Sequence, residues 1–433
     1  MSPIVNANGN KFVAVAIQYR LGAFGFLSSD EVMRYGAVNA GLLDQTFALH
    51  QVTIGGESAG AGSVMLQSLA FGGHLGDSLF SNVSEPSRDE VALGLTANQG
   101  IAASPYLPMQ YGYADFVPSQ SFYAFASALG CFGPPALPQS NTSASTFQCL
   151  VGKDTETLQN TSATISGSSR HGTWAFLPVT DGVFIQQLPS QQLLKKQVNG
   201  NRILVGSNAN EGPSFTPQNI VTEDNFVTFL RNTFPLFTED DIPRFTLLSF
   251  NQCLGRHEYT RICHKREQYT HRTEREHFWH RPAATRGQCL RRNDLRLPFL
   301  LARRSLHKQQ PCGLQYQYSV VGAWHESDIT SYFGPPTPNQ GPDFNKAFMT
   351  IWGNFITQNN PSISASIANG VNGTGNGLAA TDFPAWSLRN PLQLNLNETG
   401  GQAYSSTSFS PQAPNITEFE EPGLVNDFSV VDA

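Results

Sequence analysis

The residues best suited to chemistry in this sequence centre on Ser58, in the middle of the five-residue pattern GESAG at residues 56–60. An apolar run at residues 52–54 precedes the pattern, and a helix-like run follows it from Ala61. A G-x-S-x-G pattern between a strand and a helix makes a sharp turn that lifts the serine hydroxyl above a parallel sheet. Such a strained turn calls for small neighbours. The pattern predicts a nucleophilic serine, and an ordinary turn with an exposed serine is the alternative.

Two further candidates each follow a predicted strand. Glu211 lies in a polar loop after the apolar run at residues 203–206, and His325 lies just after the run at residues 316–321. Side chains at the carboxyl ends of parallel strands meet at one edge of the sheet, so a carboxylate there can orient an imidazole. Taken singly, a solvated loop glutamate and a structural or surface histidine are the alternatives.

Longer stretches carry a family resemblance that covers nearly the whole chain. They include NAGLLDQTFALH, VTIGGESAGAGSVMLQSLA, GTWAFLPVTDGVF, ILVGSNANEGPSF and the residues around His325. These stretches resemble fungal members of the type-B carboxylesterase/lipase family, which is related to the cholinesterases. The resemblance implies an α/β-hydrolase fold, with a mostly parallel central sheet flanked by helices, as a single domain over residues 1–433. It also implies the catalytic order Ser58, Glu211, His325. The family commonly has glycine where Glu326 stands.

The implied activity is hydrolysis of carboxylic esters through an acyl-enzyme, with a small-molecule or lipid ester as substrate. Ser58 would attack the ester, His325 would carry the proton, and Glu211 would orient the imidazole. The N–H of Ala59 would donate to the oxyanion. No metal or organic cofactor is needed for this chemistry. The alternative is a catalytically inactive relative, of a binding or adhesion type or a defective gene product.

Composition and cysteine placement bear on the compartment. The sequence has 433 residues, 40% of them hydrophobic, and no run of 18 apolar residues that would span a membrane. Cys131 and Cys149 bracket a loop and would pair in an oxidising compartment. Six glycosylation sequons fit the same compartment; they begin at Asn82, Asn141, Asn160, Asn372, Asn397 and Asn415. We therefore expect a secreted protein whose signal peptide is missing from this chain. The oligomeric state is left open.

The charge is unevenly distributed. The net charge is −6, yet the segment from Arg244 to Cys312 holds 15 of the 27 Lys and Arg and only 5 of the 33 Asp and Glu, a surplus of 10 positive charges. Such a segment usually indicates a linker or a nucleic-acid arm. Displacing the reading frame by one nucleotide, however, restores family-like text, so we interpret residues 245–312 as out-of-frame translation. We expect neither nucleic-acid binding nor a zinc site there. Residues 82–100 similarly suggest a retained intron.

Two expectations concern the arrangement of the chain. Residues 12–19, FVAVAIQY, predict a central parallel strand, and a helix is predicted from Asn39 to His50. That helix runs directly into the strand before Ser58 without turn residues, which predicts a displaced strand. Both ends of the domain are expected to be truncated. With these defects, we expect the chain as written to be nearly inactive.

Overall fold

The computed structural model describes residues 1–49, 53–74, 99–132, 145–169, 172–243, 313–371, 378–383, 385, 393–398 and 407–412. The predicted out-of-frame segment, residues 245–312, lies outside these ranges. So do residues 82–98 of the predicted intron-derived insert, whose last two residues, Gln99 and Gly100, begin a strand.

The described strands form one six-stranded sheet. In chain order they are β1 (Ile54–Glu57), β2 (Gln99–Ala103), β3 (Arg202–Asn208), β4 (Gly313–Tyr318), β5 (Gln393–Glu398) and β6 (Thr407–Gln412). Their order in the sheet is also β1 to β6. The first four neighbouring pairs are parallel, and only β5 and β6 pair antiparallel. The mostly parallel central sheet is therefore as predicted.

Helices occupy most of the described connections. They are α1 (Ser2–Ala7), α2 (Gly22–Phe26), α3 (Asp30–Tyr35), α4 (Ala40–Ala48), α5 (Ala59–Leu69), α6 (Phe116–Ala128), α7 (Thr146–Val151), α8 (Thr155–Gly167), α9 (Pro189–Leu194), α10 (Glu223–Thr233), α11 (Ile329–Phe333), α12 (Pro342–Gln358) and α13 (Ala365–Asn369). Short 3₁₀ helices cover Ala70–Gly73, Gly212–Ser214 and Leu378–Thr381. Within the described residues, none of the helices is long and apolar enough to cross a bilayer.

The sheet is covered on both faces because its central strands are apolar on both sides. Ile101 and Leu204 belong to a core cluster that includes Phe348 of α12. Their sequence neighbours Ala102 and Val205 belong to a second cluster that includes the buried residues of α5. Successive side chains of a strand point to opposite faces, so α12 and α5 pack on opposite sides of β2 and β3. The sheet and these two helices therefore share the two largest clusters of buried side chains.

The prediction of a central strand at residues 12–19 is wrong. The segment forms no strand in the structure, and Val13 and Val15 are 88% and 73% exposed. A β-prone run becomes a strand only where a neighbour completes its backbone hydrogen bonds and covers its side chains. Among the described residues this segment has no such neighbour.

The strand before Ser58 is not displaced, which corrects a second expectation. Strand β1 pairs with β2 in parallel register, from Ile54 opposite Gly100 to Glu57 opposite Ala103. Helix α4 ends at Ala48 and not at His50, and β1 begins at Ile54. Pairing with β2 and packing on α5 hold β1 in place despite the short connection.

Other predicted boundaries differ by a few residues. Strand β3 contains the predicted run 203–206 and extends it at both ends, whereas β4 ends at Tyr318 and not at Val321. Helix α12 covers the predicted helix from Phe344 to Gln358 and starts two residues earlier. These shifts are typical, because strand and helix ends depend on neighbours that the local pattern does not contain.

Cys131 and Cys149 form a disulfide, with their sulfur atoms 2.02 Å apart. Cys131 lies just beyond the end of α6 and Cys149 lies within α7. The bridge therefore joins the chain just after α6 to α7, and the pairing of Cys131 with Cys149 is as predicted.

Gly62→Ala should destabilise the protein. Gly62 lies in the buried part of α5, and a β-carbon added there would lie 2.0 Å from the carbonyl oxygen of Tyr106. Overpacking of this kind costs about 1–3 kcal/mol, which outweighs the helix propensity gained over glycine. We expect a lower midpoint of thermal unfolding, followed by circular dichroism. Gly60→Ala is the matched control, because the same helix leaves open space at that position. Equal midpoints for the two variants would contradict the prediction.

Candidate active site

Ser58 occupies the turn between β1 and α5. Its backbone angles, φ 55° and ψ −118°, lie in a region that non-glycine residues rarely adopt. A β-carbon at Gly56 would lie 2.3 Å from the backbone carbon of Gly60, so only glycine fits there. A β-carbon at Gly60 would meet no atom within 4 Å. Of the two glycines that flank the pattern, therefore, only Gly56 is required by the lack of space. The turn raises Ser58 at the carboxyl end of β1.

A continuous hydrogen-bonded row joins the three side chains that the sequence singled out. Nε2 of His325 lies 2.7 Å from Oγ of Ser58, and Nδ1 of His325 lies 2.5 Å from Oε2 of Glu211. Glu211 follows the end of β3, and His325 follows β4. The side chains of both residues are 6% exposed, so the row is largely shielded from water.

Residues that sequence reasoning missed hold the carboxylate of Glu211. Ser104 Oγ and the backbone N–H of Asn208 both donate to Oε1 of Glu211, each over 2.7 Å. The side-chain amide of Asn208 in turn donates to Ser104 Oγ and to Oδ1 of Asp328, each over 3.1 Å. Ser104 immediately follows β2, and Asn208 ends β3. Both residues are polar and lie at the carboxyl ends of parallel strands, and this feature of the sequence could have indicated that they belong to the site.

Two further carboxyl groups lie beside this row. Burial and, to a smaller extent, the nearby carboxyls of Asp328, Glu326 and Glu211 together raise the pKa of Glu57 to about 9. Burial likewise raises the pKa of Asp328 to about 6, although the hydrogen bond from Asn208 opposes this shift. Buried carboxyl groups that lie close together raise one another's pKa values, because two negative charges repel each other where little water screens them. A protonated Glu57 at neutral pH limits the negative charge around the imidazole.

The first backbone N–H groups of α5 point toward the same end of the sheet as Ser58. Ala59 is the first residue of the helix. The early N–H groups of a helix have no partner within it and carry partial positive charge. The chain therefore offers a polarised donor next to Ser58, and the role of Ala59 remains a prediction.

Asp328→Asn should make the thermal stability of the protein less dependent on pH between about pH 4 and pH 6. The pKa of Asp328 in the folded protein, about 6, lies above its ordinary value of 3.8. Folding therefore favours the protonated carboxyl, and the stability that Asp328 contributes falls as the pH rises from about 4 to about 6. The amide cannot ionise, so the variant should lose less stability over this interval. Thermal unfolding midpoints at pH 4, 5, 6 and 7 measure the difference. Parallel profiles would contradict the assignment.

Comparisons with known proteins show the family of the chain. The model of the Carboxylesterase family matches residues 4–372. The chain is 25% identical over 382 residues to "Secreted triacylglycerol lipase LIP1" of Gibberella zeae, covering 81% of this chain and 58% of that protein. It is 27% identical over 416 residues to "Secreted lipase 1" of Botryotinia fuckeliana, covering 83% and 61%. The chain thus spans about three fifths of the length of these relatives.

A solved structure bears on the fold. EstA of Aspergillus niger superposes with a TM-score of 0.69 at 19% identity, covering 100% of this chain and 77% of that chain. At this identity the similarity concerns the fold, and it confirms the predicted α/β-hydrolase architecture.

Proposed function

Since the chain belongs to the carboxylesterase family, we propose that it hydrolyses carboxylic esters through a covalent acyl-enzyme. The observation that carries the proposal is the hydrogen-bonded row from Ser58 through His325 to Glu211. A nucleophile, a base and an orienting carboxylate in contact are the parts that acyl transfer by a serine enzyme requires. All three side chains are present, which favours hydrolysis over the alternative of a non-catalytic relative.

In the proposed first step, Ser58 Oγ attacks the ester carbonyl while Nε2 of His325 accepts the hydroxyl proton. The carboxylate of Glu211 accepts the Nδ1–H bond and so keeps the lone pair of Nε2 facing the serine. The N–H of Ala59 donates to the developing oxyanion. His325 then gives the proton to the departing alcohol, and the acyl group stays on Ser58.

In the second step, water attacks the acyl-enzyme and His325 acts again as base and then acid, which frees the carboxylic acid and restores Ser58. Ser104 and Asn208 contribute as positioning residues because they fix the oxygen of Glu211 that does not face the imidazole. These steps use only groups of the chain and water.

The proposed substrates are small-molecule or lipid esters, and the proposed location is extracellular. The names of the two fungal relatives, a secreted triacylglycerol lipase and a secreted lipase, support both proposals. The Cys131–Cys149 disulfide suits an oxidising compartment.

The test is turnover of p-nitrophenyl esters of two, four and sixteen acyl carbons. The chain as written should be assayed beside a version in which residues 245–312 are translated in the neighbouring reading frame. Turnover by either protein above its heat-unfolded sample supports ester hydrolysis, and no turnover by both contradicts it. We expect the second version to be much faster, and equal rates would contradict the prediction that the chain as written is nearly inactive.

A further inference from the structure

Glu326 places an exposed carboxylate beside the imidazole of the proposed site. One oxygen of Glu326, one ring nitrogen of His325 and one carboxyl oxygen of Glu57 all lie within 4.8 Å of one another. Glu326 is exposed, whereas the side chains of His325 and Glu57 are only 6% and 15% exposed. Glu326 is therefore the solvent-facing member of this group.

The backbone at Glu326 has a conformation that a residue with a side chain rarely adopts. Its φ of 72° lies in the left-handed region, where glycine is accommodated without strain and other residues are disfavoured. Backbone strain next to a reactive group is typical of residues with a functional role. Glutamate differs from glycine here by one carboxylate on a short stem, so a role of Glu326 would depend on its negative charge.

The negative charge of Glu326 has no cationic partner in the described part of the chain. No lysine or arginine there forms an ion pair with it. Its neighbours differ in this respect, because Glu211 accepts hydrogen bonds on both carboxylate oxygens and Glu57 is protonated at neutral pH. An exposed glutamate is ionised at neutral pH. Glu326 therefore contributes a full negative charge at the solvent side of the site.

This charge acts on the reactive groups and not only on solvent. The imidazole within 4.8 Å of it holds Nε2 at 2.7 Å from Oγ of Ser58. Burial raises the pKa of Glu57 most, but the carboxyls of Asp328 and Glu326 also raise it. Unit charges several ångströms apart interact appreciably where protein replaces part of the water. A negative charge on a molecule held at Ser58 is therefore repelled by Glu326.

We propose that Glu326 is a specificity-determining residue whose charge excludes carboxylates from the site, an inference that rests on the proposed function. An ester group is neutral, but its hydrolysis releases a carboxylic acid that loses its proton to water at neutral pH. Repulsion by Glu326 therefore acts on the acid product and spares the neutral ester from which the product is formed.

Two consequences follow for the substrates of this site. The acid product leaves more readily, because its carboxylate forms at the carbonyl carbon that was bound to Ser58 and so lies near the charge of Glu326. Esters that carry a free carboxylate are also disfavoured as substrates. Glu326 thus narrows the substrate class from carboxylic esters in general to esters without a negative charge.

The charge of Glu326 also affects the reaction of neutral esters. His325 becomes an imidazolium during acyl transfer, and a nearby carboxylate stabilises that positive charge. Removing the charge of Glu326 should therefore change kcat for every ester. Exclusion of carboxylates is measured separately, by comparing the binding of an anion with that of a neutral molecule of the same shape.

The test uses whichever of the two proteins of the ester assay turns over p-nitrophenyl butyrate faster. Inhibition constants are measured for butyrate, the product, and for butyramide, its neutral isostere. Glu326→Gln should bind butyrate about 3- to 10-fold more tightly, as expected for a unit charge several ångströms away at a partly exposed position. Glu326→Lys should bind butyrate more tightly still, and added salt should reduce both differences. Neither variant should change the binding of butyramide.

The substrate class is tested with a matched pair of esters. The ratio of kcat/KM for mono-p-nitrophenyl adipate to that for p-nitrophenyl hexanoate should rise at least about 2-fold in Glu326→Gln. The ratio cancels any effect on the imidazolium, because both esters use the same base.

Glu156→Gln is the matched control, because it removes the same charge from an exposed residue of α8 and should leave both inhibition constants unchanged. Circular dichroism checks that the variants are folded. Turnover with equal butyrate binding in Glu326→Gln and the unaltered protein, or equal tightening of butyramide, would overturn this inference alone. No turnover by either protein would instead contradict the proposed function, and this inference with it.

Discussion

In the version with residues 245–312 translated in the neighbouring reading frame, Ser58→Ala should abolish covalent labelling by a fluorophosphonate. It should also lower the rate of ester hydrolysis by up to about 10⁶-fold, the loss seen when a serine nucleophile is removed. Ser58 Oγ is the atom within hydrogen-bonding distance of His325 Nε2, so its proton has a base to receive it. Alanine fits the same turn but offers no nucleophile. The hydrogen-bonded pair of His325 and Glu211 would remain, which makes the loss specific to the nucleophile.

Labelling is read by mass spectrometry of the modified peptide, and hydrolysis is read by release of p-nitrophenol. Ser68→Ala is the matched control, because Ser68 lies in the same helix, α5, and among the described residues its hydroxyl donates to the carbonyl of Val64. Ser68→Ala should label and turn over as the unaltered protein does. A fluorophosphonate adduct that survives Ser58→Ala would show that another residue is the nucleophile.

In the same reading-frame-restored version, Glu211→Gln should lower kcat by about 10⁴-fold, as expected when the orienting carboxylate of a triad becomes an amide. The carboxylate accepts hydrogen bonds on both oxygens, from His325 on Oε2 and from Ser104 and Asn208 on Oε1. Glutamine has only one oxygen. If its NH₂ faces the imidazole, His325 must present the wrong tautomer. If its NH₂ faces Asn208, two donors meet.

The measurement is kcat for p-nitrophenyl butyrate, with the rate of fluorophosphonate labelling as a second readout. Both should fall together, because both depend on the basicity of Nε2 toward Ser58. Glu156→Gln makes the same chemical change at an exposed site and should leave both rates unchanged. A Glu211→Gln variant with normal kcat would remove Glu211 from the proposed mechanism.

Local sequence was enough to predict where the reactive groups lie along the chain. The pattern around Ser58 requires a tight turn between a strand and a helix, and β1, Ser58 and α5 form that turn. The apolar runs before Glu211 and His325 correspond to β3 and β4. Such patterns can be predicted because backbone sterics and side-chain periodicity act within a few residues.

Residues 12–19 show the limit of that reasoning. Their pattern is as β-prone as that of β3, yet they form no strand. A strand forms only where it pairs with a neighbour, and both partners of β3, the strands β2 and β4, lie more than a hundred residues away in register. The position of β1 was misjudged for the same reason, because its pairing with β2 outweighs the short connection from α4.

Only the tertiary structure determined which side chains contact and position the predicted reactive groups. Ser104 and Asn208 come to one oxygen of Glu211 because β2 and β3 are adjacent and end at the same edge. Glu57 and Glu326 come to one side of His325 because β1 and the loop after β4 open onto that edge. Sequence by itself determined the kinds of reactive group and their order along the chain. Their contacts follow from the register of parallel strands, which is set by pairing across long sequence separations that no local pattern contains.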